Sequence, residues 1–586
     1  MNGRNSTLLD IIFRHLKFYD NDFILRLLLY YKNKAVIFTS DLNKQISNEK
    51  FKIIIPSFSY KKEIKKYLLY ECYKSNINIH IIKYLVEHGA DINDGSLLYV
   101  CEIGNETIVK YLVEHGADIN KRDENYETPL FYACRCGNEA IVKYLVEHGA
   151  NINKTNENGE TPLFYACRCG NEIIVKYLVE HGADINKTNY RNETLLFNSC
   201  YYGYEAIVKC LVEHGADINK TNICDETPLF NACRCGNEVI IKYLIKHVTD
   251  INKTNKNGET LLCIACQYEN ETFVKYLVEH GANINKTNED SETPLFYVCR
   301  CGNETIVKYL VEHGADINKT NENGETPLFY ACRCGNEIIV KYLVEHGADI
   351  NKTNENGETP LFYACRYGNE IIVKYLVEHG TNINKTNDRD ETPLFNAYRS
   401  GNETLIKYFI EFGADINKAN KYGETLLYIA CGSDNEAMIK YLVELGADIN
   451  YTIIYDKTPL HNACKSGSEA VVKYLFEHEA NKNKTKFGAA LLNIACEIGN
   501  EKIVKYLVEH GIDINKRCYG ATPLYKACEI GNEAIVKYLV EHGADINKRC
   551  YGANAMYAAR ESGNETIEKY LVEHGADINK RSYGTT

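Results

Sequence analysis

Apolar positions recur along most of this chain as two short runs separated by a glycine. In "ETPLFYACRCGNEIIVKYLVEHGADIN", Leu163, Ala166 and Cys167 fall on one face of a predicted first helix. Thr161 is placed to cap it, and Pro162 takes the first helical position, where its missing N–H costs nothing. Gly170 ends this helix. Asn171 is placed to cap a second one, whose apolar stripe is Ile174, Val175, Leu178 and Val179. Glu172 and Lys176 are spaced as an i,i+4 pair on its wet side. Gly182 stands where a left-handed residue stops the helix, and "ADINKTNENGE" reads as a polar connection to the next copy.

The glycine that closes the second helix measures the period. It stands at Gly116, Gly149, Gly182 and Gly215, then from Gly281 to Gly446 in steps of 33. Val248 and Glu479 occupy the two places where it is missing. Gly511, Gly543 and Gly575 follow at intervals of 32, and the first interval, from Gly89, is 27. The length changes fall in the connections, which tolerate deletion where packed helices do not. A left-handed backbone costs a non-glycine residue ~1–2 kcal/mol, so Val248 and Glu479 are expected to be weak joints.

The unit resembles the ankyrin repeat, with its period of 33 and its Thr-Pro-Leu-His-x-Ala signature. "TPLFYA" carries Phe164 in place of the family histidine, which Thr458-Pro459-Leu460-His461 keeps. The resemblance implies an all-α solenoid of paired antiparallel helices with hairpin-like loops. It covers 64–586 as an array of about sixteen units. Residues 1–63 lie off the period and hold helix-like patches such as "LLDIIFRHLKFY", so they read as a short, mostly helical N-terminal cap. Sixteen units at ~8–10 Å each would span on the order of 150 Å.

In the family, partners are bound along the concave side by hairpin tips and the exposed end of the first helix. The matching helix-end positions here form a row of Arg135, Arg168, Tyr201, Arg234, Arg300, Arg333, Arg366 and Arg399. Beside it stand Tyr202, Tyr268 and Tyr367. The tips contribute Glu157, Glu160, Glu322 and Glu325. Arginine and tyrosine are favoured at binding hot spots, which points to a partner that is acidic or extended. Reversing the arginines to glutamate is then expected to abolish capture and leave the helices intact. The alternative is that arginines and hairpin glutamates pair with one another on a solvated face, at little energetic gain. Units 154–186 and 319–351 are identical, which suits a repetitive partner or a generic scaffold.

The formal net charge of -12 and pI of about 5.9 argue against a nucleic-acid partner. The 24 cysteines recur inside repeats rather than as a small secreted framework. The N-terminus lacks the apolar core of a signal peptide, and no apolar run is long enough to span a membrane. These features predict a soluble intracellular protein, cytoplasmic with the nucleus open. The Cys-x-Cys pairs, such as Cys167/Cys169, and the recurring histidine, such as His181, invite a metal reading. Neighbouring copies stand too far apart to share a zinc ion, and Phe412 and Leu445 replace the histidine in two units. The first cysteine reads as a small buried residue, the histidine as a helix-end cap, and the tyrosine of "KYL" as an inter-repeat contact with its hydroxyl wet. No phosphate loop, zinc-protease or nucleophile-elbow motif occurs. No enzymatic activity, cofactor or metal is expected. The first reading is a non-catalytic protein-interaction scaffold. The second is a substrate-recruiting or regulatory subunit, such as a ubiquitin-ligase or signalling adaptor. A metal-buffering or redox protein ranks last.

Overall fold

The computed structural model describes residues 90–93, 95–433, 435–453, 457–478, 487–550 and 553–577, with Ile79, Ile82, Lys83 and Val86. The cap read over 1–63 and the Glu479 joint lie outside the described residues. Among those residues the regular structure is helical, with three isolated β-bridges in the connections. The chain divides into two compact units, Met1–Ala282 and Asn283–Thr586.

Within each unit the same pair of helices repeats. Pro162–Arg168 is followed by Glu172–Glu180, and Pro327–Cys334 by Glu337–Glu345. The apolar faces are those the spacing predicts. Leu163, Ala166, Cys167, Ile174, Val175 and Leu178 are all buried. Phe164 is buried with them and supplies more apolar area than the histidine it replaces. Gly182 has φ 89° and lets the second helix stop.

Asparagine side chains join successive repeats. Asn336 Oδ1 accepts the Ile339 N–H at 3.1 Å and caps its helix, while Asn336 Nδ2 donates to the Gly302 carbonyl of the preceding repeat at 3.0 Å. Asn153, in the "NIN" segment that stands where other repeats have "DIN", accepts from the Asp184 N–H at 2.8 Å and donates to the Gly182 carbonyl at 3.0 Å. The hairpin tips add backbone bonds, such as Tyr190 N–H to the Asn158 carbonyl at 3.0 Å. These bonds pair groups that a helix end or a turn leaves open.

The second helices carry a parallel column. His181 Nδ1 donates to the Tyr177 carbonyl at 2.8 Å, and the two rings lie 3.9 Å apart. Lys143 of one repeat lies 5.7 Å from the Tyr177 ring of the next and pairs with Glu139. The tyrosine hydroxyl is not wet as the sequence suggests. Those of Tyr144, Tyr177, Tyr342 and Tyr375 are buried without a hydrogen-bond partner. The Tyr177 ring is covered by His181 of its own repeat and by Lys143 of the preceding one. Glu172 and Lys176 do not form the expected pair, although the equivalent Glu139 and Lys143 do.

Val248 departs from its expected strain. Its φ of -78° and ψ of 133° are ordinary extended backbone. The helix stops early, at Glu238–Leu244, and unwinds into a 3-10 turn over Ile245–His247. The cost moves from backbone strain to lost contacts. Tyr243 and His247 stand 5.7 Å apart, and Asn219 reaches the next repeat at Thr249 Oγ1, a marginal 3.5 Å. The joint is therefore expected to open more readily than its neighbours. Amides over 244–250 should exchange faster than those over 178–184, and Val248→Gly should slow them. Equal protection in the two stretches would contradict this.

Candidate functional site

The glutamate of each Glu-Thr-Pro turn is set by the hairpin before it. Asn321 Oδ1 accepts the N–H groups of Asn323 and Glu325, at 3.0 and 2.9 Å, and Asn321 is itself buried. This turn leaves Glu157 and Glu322 exposed at the tips. It buries Glu160 and Glu325, which the sequence had placed at the tips with them. Glu127, Glu226, Glu292, Glu358 and Glu391 are buried in the same way.

A buried carboxylate needs donors, and the arginine row supplies them. Arg168 meets Glu160 at 2.5 Å, Arg300 meets Glu292 at 2.8 Å, and Arg366 and Arg399 meet Glu358 and Glu391 at 2.5 Å. Arg135 pairs with Glu127 and Arg234 with Glu226. The next repeat adds a tyrosine hydroxyl, from Tyr165 to Glu127 at 2.5 Å, from Tyr330 to Glu292 at 2.7 Å, and from Tyr363 to Glu325. Each guanidinium also covers tyrosine rings. Arg135 lies 4.9 Å from both Tyr132 and Tyr165, and Arg300 lies 5.6 and 5.0 Å from Tyr297 and Tyr330. Arg333 covers Tyr330 at 4.7 Å without an ion pair to Glu325. In the first unit, a polar hollow of about 280 Å³ opens between Arg135, Glu127, Tyr165 and the tips at Asn125 and Asn158.

The electrostatics follow this geometry. Burial pushes the Glu226 carboxyl up, but the Arg234 guanidinium and the amides of Asn222 and Asn255 outweigh it and hold the pKa below the usual value. Burial, with the hydrogen bond to Glu127 next, pushes the Tyr165 hydroxyl up to about 12. The arginine row is therefore the outer edge of an internal Glu–Arg–Tyr network. Much of its charge is already matched by carboxylates of the same chain.

The pattern holds across the chain. All seven Glu-Thr-Pro turns carry an arginine eight residues after the glutamate. The three Glu-Thr-Leu turns carry Tyr201, Gln267 and Gly432 there. In those three, Glu193, Glu259 and Glu424 are only half-buried and are held by Asn189, Asn255 and Asn420, at 2.8, 2.9 and 3.1 Å.

The sequence-selected tyrosines do reach the surface. Tyr201 is 55%, Tyr202 43% and Tyr268 51% exposed in the first unit, and Tyr367 is 53% exposed in the second. In five other repeats this place beside the row holds an exposed cysteine, at Cys136, Cys169, Cys235, Cys301 and Cys334. Cys169 donates its S–H to the Arg135 carbonyl at 3.3 Å, and Cys136 donates to that of Glu102 at 2.8 Å. Burial raises the pKa of Cys136 and Cys235, so neither is an activated thiol. The inner cysteines are buried, and burial pushes Cys167 up to about 12. Among the described residues, no group of three or more His, Cys, Asp and Glu is disposed to hold a metal ion. None of the described helices is long and apolar enough to cross a membrane.

His461 shows what phenylalanine gives up. Its Nδ1 accepts the Thr458 N–H at 3.1 Å and lies 2.8 Å from Thr458 Oγ1. With phenylalanine in that place, the Oγ1 atoms of Thr128, Thr161, Thr326 and Thr359 are buried without a partner. Burial, and then the charge of Lys457, push the His461 pKa down from 6.5 to about 4. The neutral ring is the native form, so its contribution is complete above pH 6.5 and is lost as pH falls through 4. Complete protonation should cost this repeat on the order of 3 kcal/mol. Amide exchange over 459–477 should accelerate between pH 6.5 and 4 beyond the intrinsic rate change, and His461→Phe should remove that dependence. An unchanged dependence in the variant would refute the assignment.

Two sets of inter-repeat residues escape the sequence reading. These are the second amide bond of each capping asparagine and the asparagine of "DIN". The signal for both is their return at the same place in almost every copy.

A family model described as ankyrin repeats matches the chain in eleven overlapping stretches, from 25–123 at the front to 516–582 at the end. Among solved structures, the chain is similar to the crystal structure of the human ASB11 ankyrin repeat domain. Identity is 27%, over 38% of this chain and 99% of that one, with a TM-score of 0.35. No curated protein matches the chain significantly.

Proposed function

Since this chain belongs to the ankyrin-repeat family, whose members are generally non-catalytic interaction modules, we propose that it is a scaffold binding protein partners at its first-helix ends and hairpin tips. One observation carries the reading. Most arginines at the first-helix ends are neutralised by carboxylates of their own repeat, but Tyr201 stands exposed at an arginine's place, and Tyr202, Tyr268 and Tyr367 stand exposed one residue after it in their repeats. A tyrosine offers a large rigid surface with a polar tip and loses little entropy on docking. The tips add exposed carboxylates such as Glu157 and Glu322. The arginines contribute through the outer edges of their guanidinium groups and hold the carboxylates beneath them.

The test is capture by the purified full chain, with bound proteins identified by mass spectrometry. Tyr367→Ser should lower recovery of the bound proteins at least tenfold. Ile371→Ser removes a side chain that is 59% exposed on the second helix of the same repeat, and it should leave recovery unchanged. Equal effects of the two changes would withdraw the first-helix face as the binding surface.

A further inference from the structure

The Glu–Arg–Tyr network is broken at the repeat that begins at Glu193. The intact site at Glu127 receives three donors, Arg135, the Tyr165 hydroxyl and Asn156 Nδ2. At Glu193 the arginine is replaced by Tyr201. The tyrosine of the following repeat is replaced by Asn231, whose Nδ2 donates instead to the Phe197 carbonyl at 3.3 Å. Asn189 Nδ2 remains, at 2.8 Å from one carboxylate oxygen. Among the described residues no lysine or arginine forms an ion pair with Glu193. It is also less buried than the paired glutamates on either side, Glu160 and Glu226.

Aromatic rings stand where the arginine is missing. Tyr201 and Tyr202 meet edge to face at 5.2 Å, and Tyr202 stacks on Tyr204 at 6.0 Å. Tyr204 is fixed by its hydroxyl, which donates to the Arg168 carbonyl at 3.4 Å. In the same repeat Asn198 replaces the network tyrosine, and its Nδ2 is buried without a partner. This repeat therefore has a carboxylate short of donors beside exposed aromatic faces. Those are the two surfaces that Arg135 and Arg300 satisfy within the chain.

We propose that Glu193, Tyr201 and Tyr202 form a seat for an arginine side chain of a partner protein, which supplies the guanidinium this repeat lacks. The proposal rests on the reading of the first-helix face as the binding face and names the partner chemistry there. A guanidinium can pair with the carboxylate through two N–H groups and lie flat on a ring; an ammonium makes a point contact alone. The net charge of -12 favours the approach of a basic segment.

The test uses the full chain and a fluorescein-labelled Gly-Arg-Gly-Arg-Gly peptide, read by anisotropy at low salt. A citrulline peptide of the same length keeps the shape without the charge. The arginine peptide should bind at least tenfold more tightly than the citrulline one. Glu193→Gln should remove that preference. Tyr201→Arg should also remove it, because the chain then fills its own seat, and slower amide exchange over 194–204 should show that the repeat has closed. Glu180→Gln, at an exposed place on the second helix of the neighbouring repeat, should leave binding unchanged. Equal binding of the two peptides, undiminished binding by Glu193→Gln or Tyr201→Arg, or no binding at all would overturn the seat. If the seat fails while Tyr367-dependent capture persists, the scaffold reading stands; if both fail, it falls as well.

Discussion

Arg300→Glu should loosen the repeat stack around Glu292 rather than leave it intact. The change removes two hydrogen bonds, at 3.0 and 2.8 Å, from a buried carboxylate and places a second carboxylate beside it. It also uncovers the rings of Tyr297 and Tyr330. Breaking a buried ion pair costs about 3–5 kcal/mol; the arginine is partly exposed, so about 2–4 kcal/mol is expected here. The helices on either side need not melt, because stability in a linear array is local. Amide exchange over 292–301 and 325–334 should accelerate while the helix signal falls only slightly. The double change Glu292→Gln with Arg300→Gln should recover most of the loss, since it removes both charges together. Normal protection in Arg300→Glu would mean that the pair is a solvated surface contact.

Asn336→Ala is expected to act through two bonds at once. The cap to Ile339 N–H is worth about 1 kcal/mol, and the bond to the Gly302 carbonyl of the previous repeat about 1 kcal/mol more. Asn336→Ser separates them, because serine can cap the helix but is too short to bridge the seam. The alanine variant should lose about 2 kcal/mol, and the serine variant about half of that, read as local exchange over 336–346. Equal losses would show that the inter-repeat bond contributes nothing.

The helical pair was legible in the sequence because apolar spacing, proline, capping asparagine and glycine all recur at one register. Local chemistry sufficed there. The role of the arginines depends on a hairpin that folds Glu160 inward, toward a helix end eight residues away. Nothing local to Arg168 reports that burial. The signal existed in the strict pairing of Glu-Thr-Pro with arginine, which appears only when the copies are compared with one another. Val248 shows the opposite limit. A missing glycine was read as strain, but the chain avoids strain by ending the helix at Leu244 and gives up contacts instead. The buried hydroxyl of Tyr177 escaped notice because it depends on the seam between two repeats, which no single repeat reveals.

The central claim is that partners are held by the first-helix ends and hairpin tips, at positions the internal network leaves open. Hydrogen-exchange footprinting of the full chain, with and without a captured partner, tests it most directly. The account predicts new protection at the helix ends around Tyr201–Gly203 and Tyr367–Gly368 and at the neighbouring tips. The second helices, such as Glu205–Glu213 and Glu370–Glu378, should be unchanged. Protection confined to the second helices would contradict it.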